Sequence, residues 1–116
     1  MILVDTSVWI DHLRTRDDEL ARALDDGEVL VHSFVIGELA CGNLRNRADV
    51  LGLLRELPPV REATHDEVMV FVERRKLMSR GIGYVDAHLL AAAMLTPWTR
   101  LWTHDKRLAR LAAEFA

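Results

Sequence analysis

Apolar and polar positions along the chain fall into short blocks that alternate between two periods. Ile2, Leu3 and Val4 form a continuous apolar run closed by Asp5, which predicts a short buried strand. Val8, Trp9 and Leu13 then recur at near-helical spacing, after Thr6 and Ser7 as capping residues. A second helix is expected over about 17–25, preceded by Thr15 and stopped near Gly27. Residues 29–31 read as a second strand, and Ser33 caps a helix that ends at Gly42. A further helix over about 46–56 is broken by Pro58 and Pro59, with Val60 in a short extended piece. Thr64 followed three residues later by Glu67 is a capping box, so a long helix should run to about Ser79 before Gly81 and Gly83. Residues 86–94 form an Ala-rich helix that is apolar nearly all round, and 101–103 a last strand. An Arg- and Ala-rich helix from Asp105 closes the chain. Strands alternating with helices predict an α/β fold, a short and mainly parallel sheet flanked by helices. No repeat, linker or low-complexity tract interrupts it, so 1–116 is expected to be a single domain.

Composition narrows the setting. The 116 residues are 50% hydrophobic and 28% charged, which suits a packed core and argues against disorder. The longest apolar run, 89–95, is far below the roughly 18–20 residues of a membrane span. The start, Met-Ile-Leu-Val-Asp, has no basic leader, so no secretory signal is expected. Cys41 is the only cysteine, which excludes an internal disulfide and a Cys-rich zinc site and points to a reducing cytoplasm. The net charge of −3 looks unfavourable for nucleic acid, but 13 of the 15 basic residues are Arg, whose planar fork suits phosphate. An Arg-favouring codon bias is the other account of that excess.

Four acids stand against apolar sequence, unlike the solvated majority. Asp5 and Asp105 each end a predicted strand, where open α/β sheets bind ligands. Asp86 opens the apolar helix, and capping is the competing role for all three. Glu38 lies mid-helix on the edge of the apolar face, with no Lys or Arg within a turn of it. Carboxylates that converge without basic partners have raised pKa values unless a cation is bound. Hard oxygen ligands favour Mg²⁺ or Mn²⁺ over zinc, and those ions serve phosphoryl chemistry. Setting these four aside leaves 14 acids against 15 bases, so the remaining surface need not repel a polyanion. Arg14, Arg16, Arg45, Arg47 and Arg80 lie near element ends and are the candidates for phosphate contact, ordinary solvated surface being the alternative. A zinc site built on His88, His104 and Asp86 is the weaker reading, because His88 is two residues past Asp86 and points away on a helix.

Taken together, Ile-Leu-Val-Asp-Thr-Ser-Val-Trp-Ile at 2–10, Gly-Glu-Leu-Ala-Cys-Gly at 37–42, Tyr-Val-Asp-Ala-His-Leu-Leu-Ala-Ala at 84–92 and Leu-Trp-Thr-His-Asp-Lys-Arg-Leu at 101–108 resemble a PIN-domain ribonuclease, specifically a VapC-type toxin of a type II toxin–antitoxin pair. Each motif is short; their order and spacing over nearly the whole chain make the combination specific. The resemblance implies the PIN fold, with an acidic pocket at the strand ends, and Mg²⁺- or Mn²⁺-dependent endonuclease action on RNA. The family's acids carry over onto Asp5, Glu38, Asp86 and Asp105 as catalytic and metal-binding residues, and its accompanying hydroxyls onto Thr6 and Thr103. His104 departs from a position more often basic or small. The expected reaction is in-line hydrolysis of a phosphodiester that leaves a 5′ phosphate, with transfer or ribosomal RNA as substrates. The resemblance also implies a cognate VapB-type antitoxin that sends a basic side chain into the acidic pocket, with Trp9, Leu13 and Leu44 as candidates for its apolar groove, and a homodimer within the larger complex.

Other architectures with acidic pockets fit less well. A receiver domain needs paired acids after the first strand, whereas Asp5 is followed by Thr-Ser, and Lys106 is in a helix. A haloacid-dehalogenase-like phosphatase needs an acid at position 7, which is Ser. No Gly-rich phosphate loop occurs. The remaining rival is a non-catalytic PIN-like module that binds RNA or protein without cutting.

Overall fold

The computed structural model describes residues 1–115. Ala116, the last residue of the expected domain, lies outside them. The elements run β1 Ile2–Val4, α1 Thr6–Arg14, α2 Asp18–Asp25, β2 Val29–Leu30, α3 Ser33–Ala40, α4 Arg47–Glu56, α5 His65–Arg75, α6 Tyr84–Leu95, β3 Arg100–Trp102 and α7 Lys106–Glu114. The sheet has the order β2-β1-β3 and both pairings are parallel, so the α/β expectation holds. Parallel neighbours need crossovers, which the helices provide. Because β1 is central, its C-terminal end and that of β3 open side by side, at a point where the strand order reverses. An isolated parallel bridge between Val31 and Pro59 continues the β2 edge, with Val60 N–H donating to Val31 O at 2.9 Å.

The main core gathers Leu3, Val4, Val8, Leu20, Val35, Leu39, Leu54 and Leu89 from both faces of the sheet. Burying each of the larger aliphatic side chains contributes roughly 1.5–3 kcal/mol. α6 buries Ala87 through Ala92 without a break, as its unpatterned apolar sequence requires. Two satellite clusters, Ala63–Val68–Ala87–Ala91 and Leu77–Leu90–Leu108–Leu111, share that helix as their common wall. Among the described residues no helix is long and apolar enough to cross a membrane.

Several boundaries differ from the sequence pattern: β2 stops at Leu30, and α3 is capped by His32 rather than Ser33 and ends at Ala40 rather than Gly42. The capping box at Thr64 and Glu67 is present, but α5 stops at Arg75 rather than near Ser79. Lys76 turns left-handed (φ 53°), and Leu77 N–H donates back to Val72 O at 3.0 Å while its side chain enters the satellite cluster. Burial of Leu77 outweighs another helical turn. α6 begins at Tyr84, so Asp86 lies inside its first turn instead of opening it. β3 sits one residue earlier than expected, which leaves Thr103 just past its end.

Candidate active site

β1 is wholly buried, and the chain leaves the sheet at Asp5, whose N–H still donates to Trp102 O of β3 at 2.9 Å. Asp5 is the N-cap of α1, and capping and site roles coexist. The residue is 7% exposed, and its carboxylate accepts three hydrogen bonds. Thr6 N–H donates to Oδ1 at 2.8 Å, Ser7 Oγ to Oδ2 at 2.9 Å and Thr103 Oγ1 to Oδ2 at 2.7 Å. Charge-assisted bonds of this kind offset the cost of burying the acid and fix its orientation.

The same two hydroxyls reach the other strand. Thr103 Oγ1 accepts from Asp105 N–H at 3.0 Å, and Ser7 Oγ accepts from His104 N–H at 3.0 Å. They therefore tie the end of β1 to the loop that carries Asp105. Asp105 spends Oδ1 on capping α7, accepting from Arg107 and Leu108 N–H at 2.9 and 3.0 Å. Glu38 projects from α3 as an exposed side chain, and Thr6 Oγ1 donates to its Oε1 at 2.7 Å. Asp86 is half-buried, and its Oδ2 accepts from Gly83 N–H at 3.1 Å.

Asp86 shows that the four acids share one field. Burial raises its pKa above the ordinary carboxylate range; the Gly83 bond opposes this, and repulsion from Asp5, Asp105 and Glu38 raises it further. Among the described residues, the ion pairs of Lys and Arg engage Asp18, Glu114 and Glu19, and none of the four site acids. Nor do three acids or histidines there converge tightly enough to hold a metal ion as they stand. The donor set is nonetheless the hard, uncompensated kind that a divalent ion suits. Asp5 is buried, whereas Glu38 and Asp105 are exposed, each held through one oxygen with the other left open.

Thr103→Val keeps the shape of the side chain and removes its hydroxyl. Asp5 Oδ2 then loses one donor and Asp105 N–H loses its acceptor. The expected result is a stability loss of about 1–3 kcal/mol and, if the acids act in catalysis, a 10–100-fold drop in rate, read by thermal melts beside cleavage kinetics. A Thr103→Ser variant should recover most of both.

The five arginines divide. Arg14 and Arg45 line a groove of about 720 Å³ together with Glu38, Ile10, Leu13, Leu44 and Val50. The others are engaged elsewhere: Arg16 pairs with Asp18 at 3.5 Å, Arg80 with Glu114 at 2.9 Å, and Arg47 donates to the carbonyls of Ala40 and Gly42 behind α3. Leu13 and Leu44 thus share a groove of mixed lining, whereas Trp9 is packed in the main core and is not part of it. His88 is buried and His104 Nδ1 sits 2.5 Å from Asp11 Oδ2, so neither joins Asp86 in a zinc-like set. Sequence reasoning took Ser7 only as a cap; its place two residues after a strand-ending Asp was the available signal.

The PIN domain family model matches residues 2–114. Two curated relatives, both named Ribonuclease VapC32, come from Mycobacterium tuberculosis strains CDC 1551 / Oshkosh and ATCC 25618 / H37Rv. Each is 52% identical over 114 residues, which covers 98% of this chain and 92% of the relative. No solved structure matches the chain significantly.

Proposed function

The chain belongs to the PIN domain family, and on that premise we propose that it is a VapC-type toxin, an endoribonuclease dependent on Mg²⁺ or Mn²⁺. The single observation that carries the reading is that Asp5, Glu38 and Asp105 all repel Asp86 at the strand ends, with no Lys or Arg paired to any of the four among the described residues. Asp5, Asp86, Glu38 and Asp105 are the residues that would hold the ion. When bound, it supplies Lewis acidity and a water acidic enough to ionise near neutral pH.

The rest of the work falls to the chain itself. Asp5 contributes a carboxylate already oriented by three donors, so little reorganisation accompanies the reaction. Thr6 steers Glu38 toward the strand ends, and the Thr103 and Ser7 hydroxyls hold Asp105 at a fixed distance from Asp5. Arg14 and Arg45 line the same groove as Glu38 and offer planar donors to the phosphates of a bound strand. The product is a fragment with a 5′ phosphate. RNA as substrate is supported by the ribonuclease designation of the relatives.

Their VapC designation also supports a VapB-type antitoxin partner. Its apolar anchors would fill the groove of Ile10, Leu13, Leu44 and Val50, with a basic side chain neutralising the neighbouring acids. A homodimer within the larger complex is expected as well. The cytoplasm is the expected location.

The test is cleavage of end-labelled RNA by the purified protein. New 5′-phosphate ends should form with Mg²⁺ or Mn²⁺, vanish with a chelator and return when the ion is restored. Metal-independent cleavage overturns the reading, and RNA binding without cleavage under any divalent ion establishes the non-catalytic alternative. Sequencing of RNA ends from cells expressing wild type beside Asp5→Asn then identifies the substrate.

A further inference from the structure

α3 has an unusual start. It is eight residues long, carries Gly37 in its middle, and is capped by His32 rather than by Ser, Thr, Asp or Asn. Helices this short depend on their caps and their packing, and an interior Gly weakens them further. The His32 ring is 0% exposed, and its Nδ1 accepts from Phe34 N–H at 3.0 Å. An accepting Nδ1 is unprotonated, so the neutral ring carries its hydrogen on Nε2. That Nε2 has no hydrogen-bond partner and faces Glu62 Oε1 at 4.0 Å. Glu62 in turn accepts from Ser33 N–H and Oγ, at 3.1 and 2.7 Å, and so reinforces the same helix start.

The ring also bridges two helices. It meets His88 of α6 edge-on, with centroids 6.1 Å apart, and Phe34 lies 4.6 Å from His88. His88 is 3% exposed and follows Asp86 by two residues. Glu38, on α3, and Asp86, on α6, are therefore carried by helices that meet at His88 through Phe34, whose N–H His32 caps, and through the His32 ring itself.

We propose that His32 is a positioning residue for the acidic site: its unprotonated Nδ1 caps α3 and its ring locks that helix against α6, so that Glu38 and Asp86 are held in register only while the imidazole is neutral. The catalytic part of this rests on the ribonuclease reading above; the cap does not. A proton added at Nδ1 removes the acceptor for Phe34 N–H and places positive charge at the positive end of the helix dipole. The groups that face the ring are Glu62 from the segment before α5 and His88 from α6, with His65 reaching the cluster through its contact with Tyr84. Burial lowers the His32 pKa, Glu62 opposes this, and His88 adds to the lowering. Stability from the neutral ring is thus fully present above the unfolded value of 6.5 and lost as pH falls through the folded value.

Nitrogen NMR of the wild-type imidazoles tests the proposal without any assay of cleavage. At about pH 7.5 His32 should show the Nε2–H tautomer. As pH is lowered until the His32 ring nitrogens themselves report protonation, Phe34 amide exchange should lose at least about tenfold of its protection beyond the intrinsic trend. An Nδ1–H tautomer, or Phe34 protection that ignores His32 protonation, overturns the cap. In cleavage assays His32→Asn, which keeps a capping oxygen and cannot titrate in this range, should hold kcat within a few fold at neutral pH and flatten the acid limb. His32→Ala should lose about tenfold at all pH values. An acid limb identical in wild type and a folded His32→Asn overturns the positioning role. If the protein cuts no RNA at all, the ribonuclease reading fails while the NMR result still decides the cap.

Discussion

Asp5→Asn is expected to lower RNA cleavage by at least about 10³-fold while the protein stays folded. The substitution deletes one charge from the acid set and leaves its volume unchanged. The amide oxygen keeps the bond from Thr6 N–H, but the amide nitrogen now faces Ser7 Oγ and Thr103 Oγ1, both donors to the native carboxylate. Those hydroxyls have spare lone pairs and must rotate, at a cost of about 1–3 kcal/mol. Part of that cost is returned, because repulsion on Asp86 is relieved. Single-turnover rates measured beside thermal melts separate the two effects. Cleavage within about tenfold of wild type, at saturating metal, removes Asp5 from the reaction.

Leu89→Ala should be the most damaging truncation for stability, at about 2–5 kcal/mol and a drop in Tm on the order of 10–20 °C. Leu89 is fully buried in the main core, one turn beyond Asp86 on the same side of α6. α6 is held by satellite clusters on its other faces, which limits how far it can move to fill the void. Met94→Ala, on the same helix but 40% exposed, is the control and should stay within about 0.5 kcal/mol of wild type. A Leu89→Ala protein as stable as the Met94→Ala control would show that the core packs differently.

The parts of this molecule that sequence pattern reveals are those decided locally. Ile2, Leu3 and Val4 announce β1 because a strand buried on both faces needs no alternation. The apolar surround of α6 and the Thr64–Glu67 box are equally self-contained. Four acids were legible as strand-ending or core-edge carboxylates, and the charges of Asp5, Glu38 and Asp105 all act on Asp86. What escaped depends on distant partners. α5 ends early because Leu77 finds Leu90, Leu108 and Leu111. Ser7 matters because β3 runs parallel beside β1 and brings His104 N–H to it. Arg16, Arg47 and Arg80 look like free phosphate ligands until their acceptors are seen. His32 carries no signal in the sequence, and its role emerges only when Phe34 N–H is found on its Nδ1.

The bridge between Val31 and Pro59 has a bearing on how copies of the chain can meet. Pro58 and Pro59 lie side by side along the outer margin of β2, and neither has an amide hydrogen to offer. A foreign extended segment arriving there finds no row of donors to zip against, which protects a small sheet from runaway stacking. Of the two margins of the sheet, the one beside β2 is thus closed to strand addition.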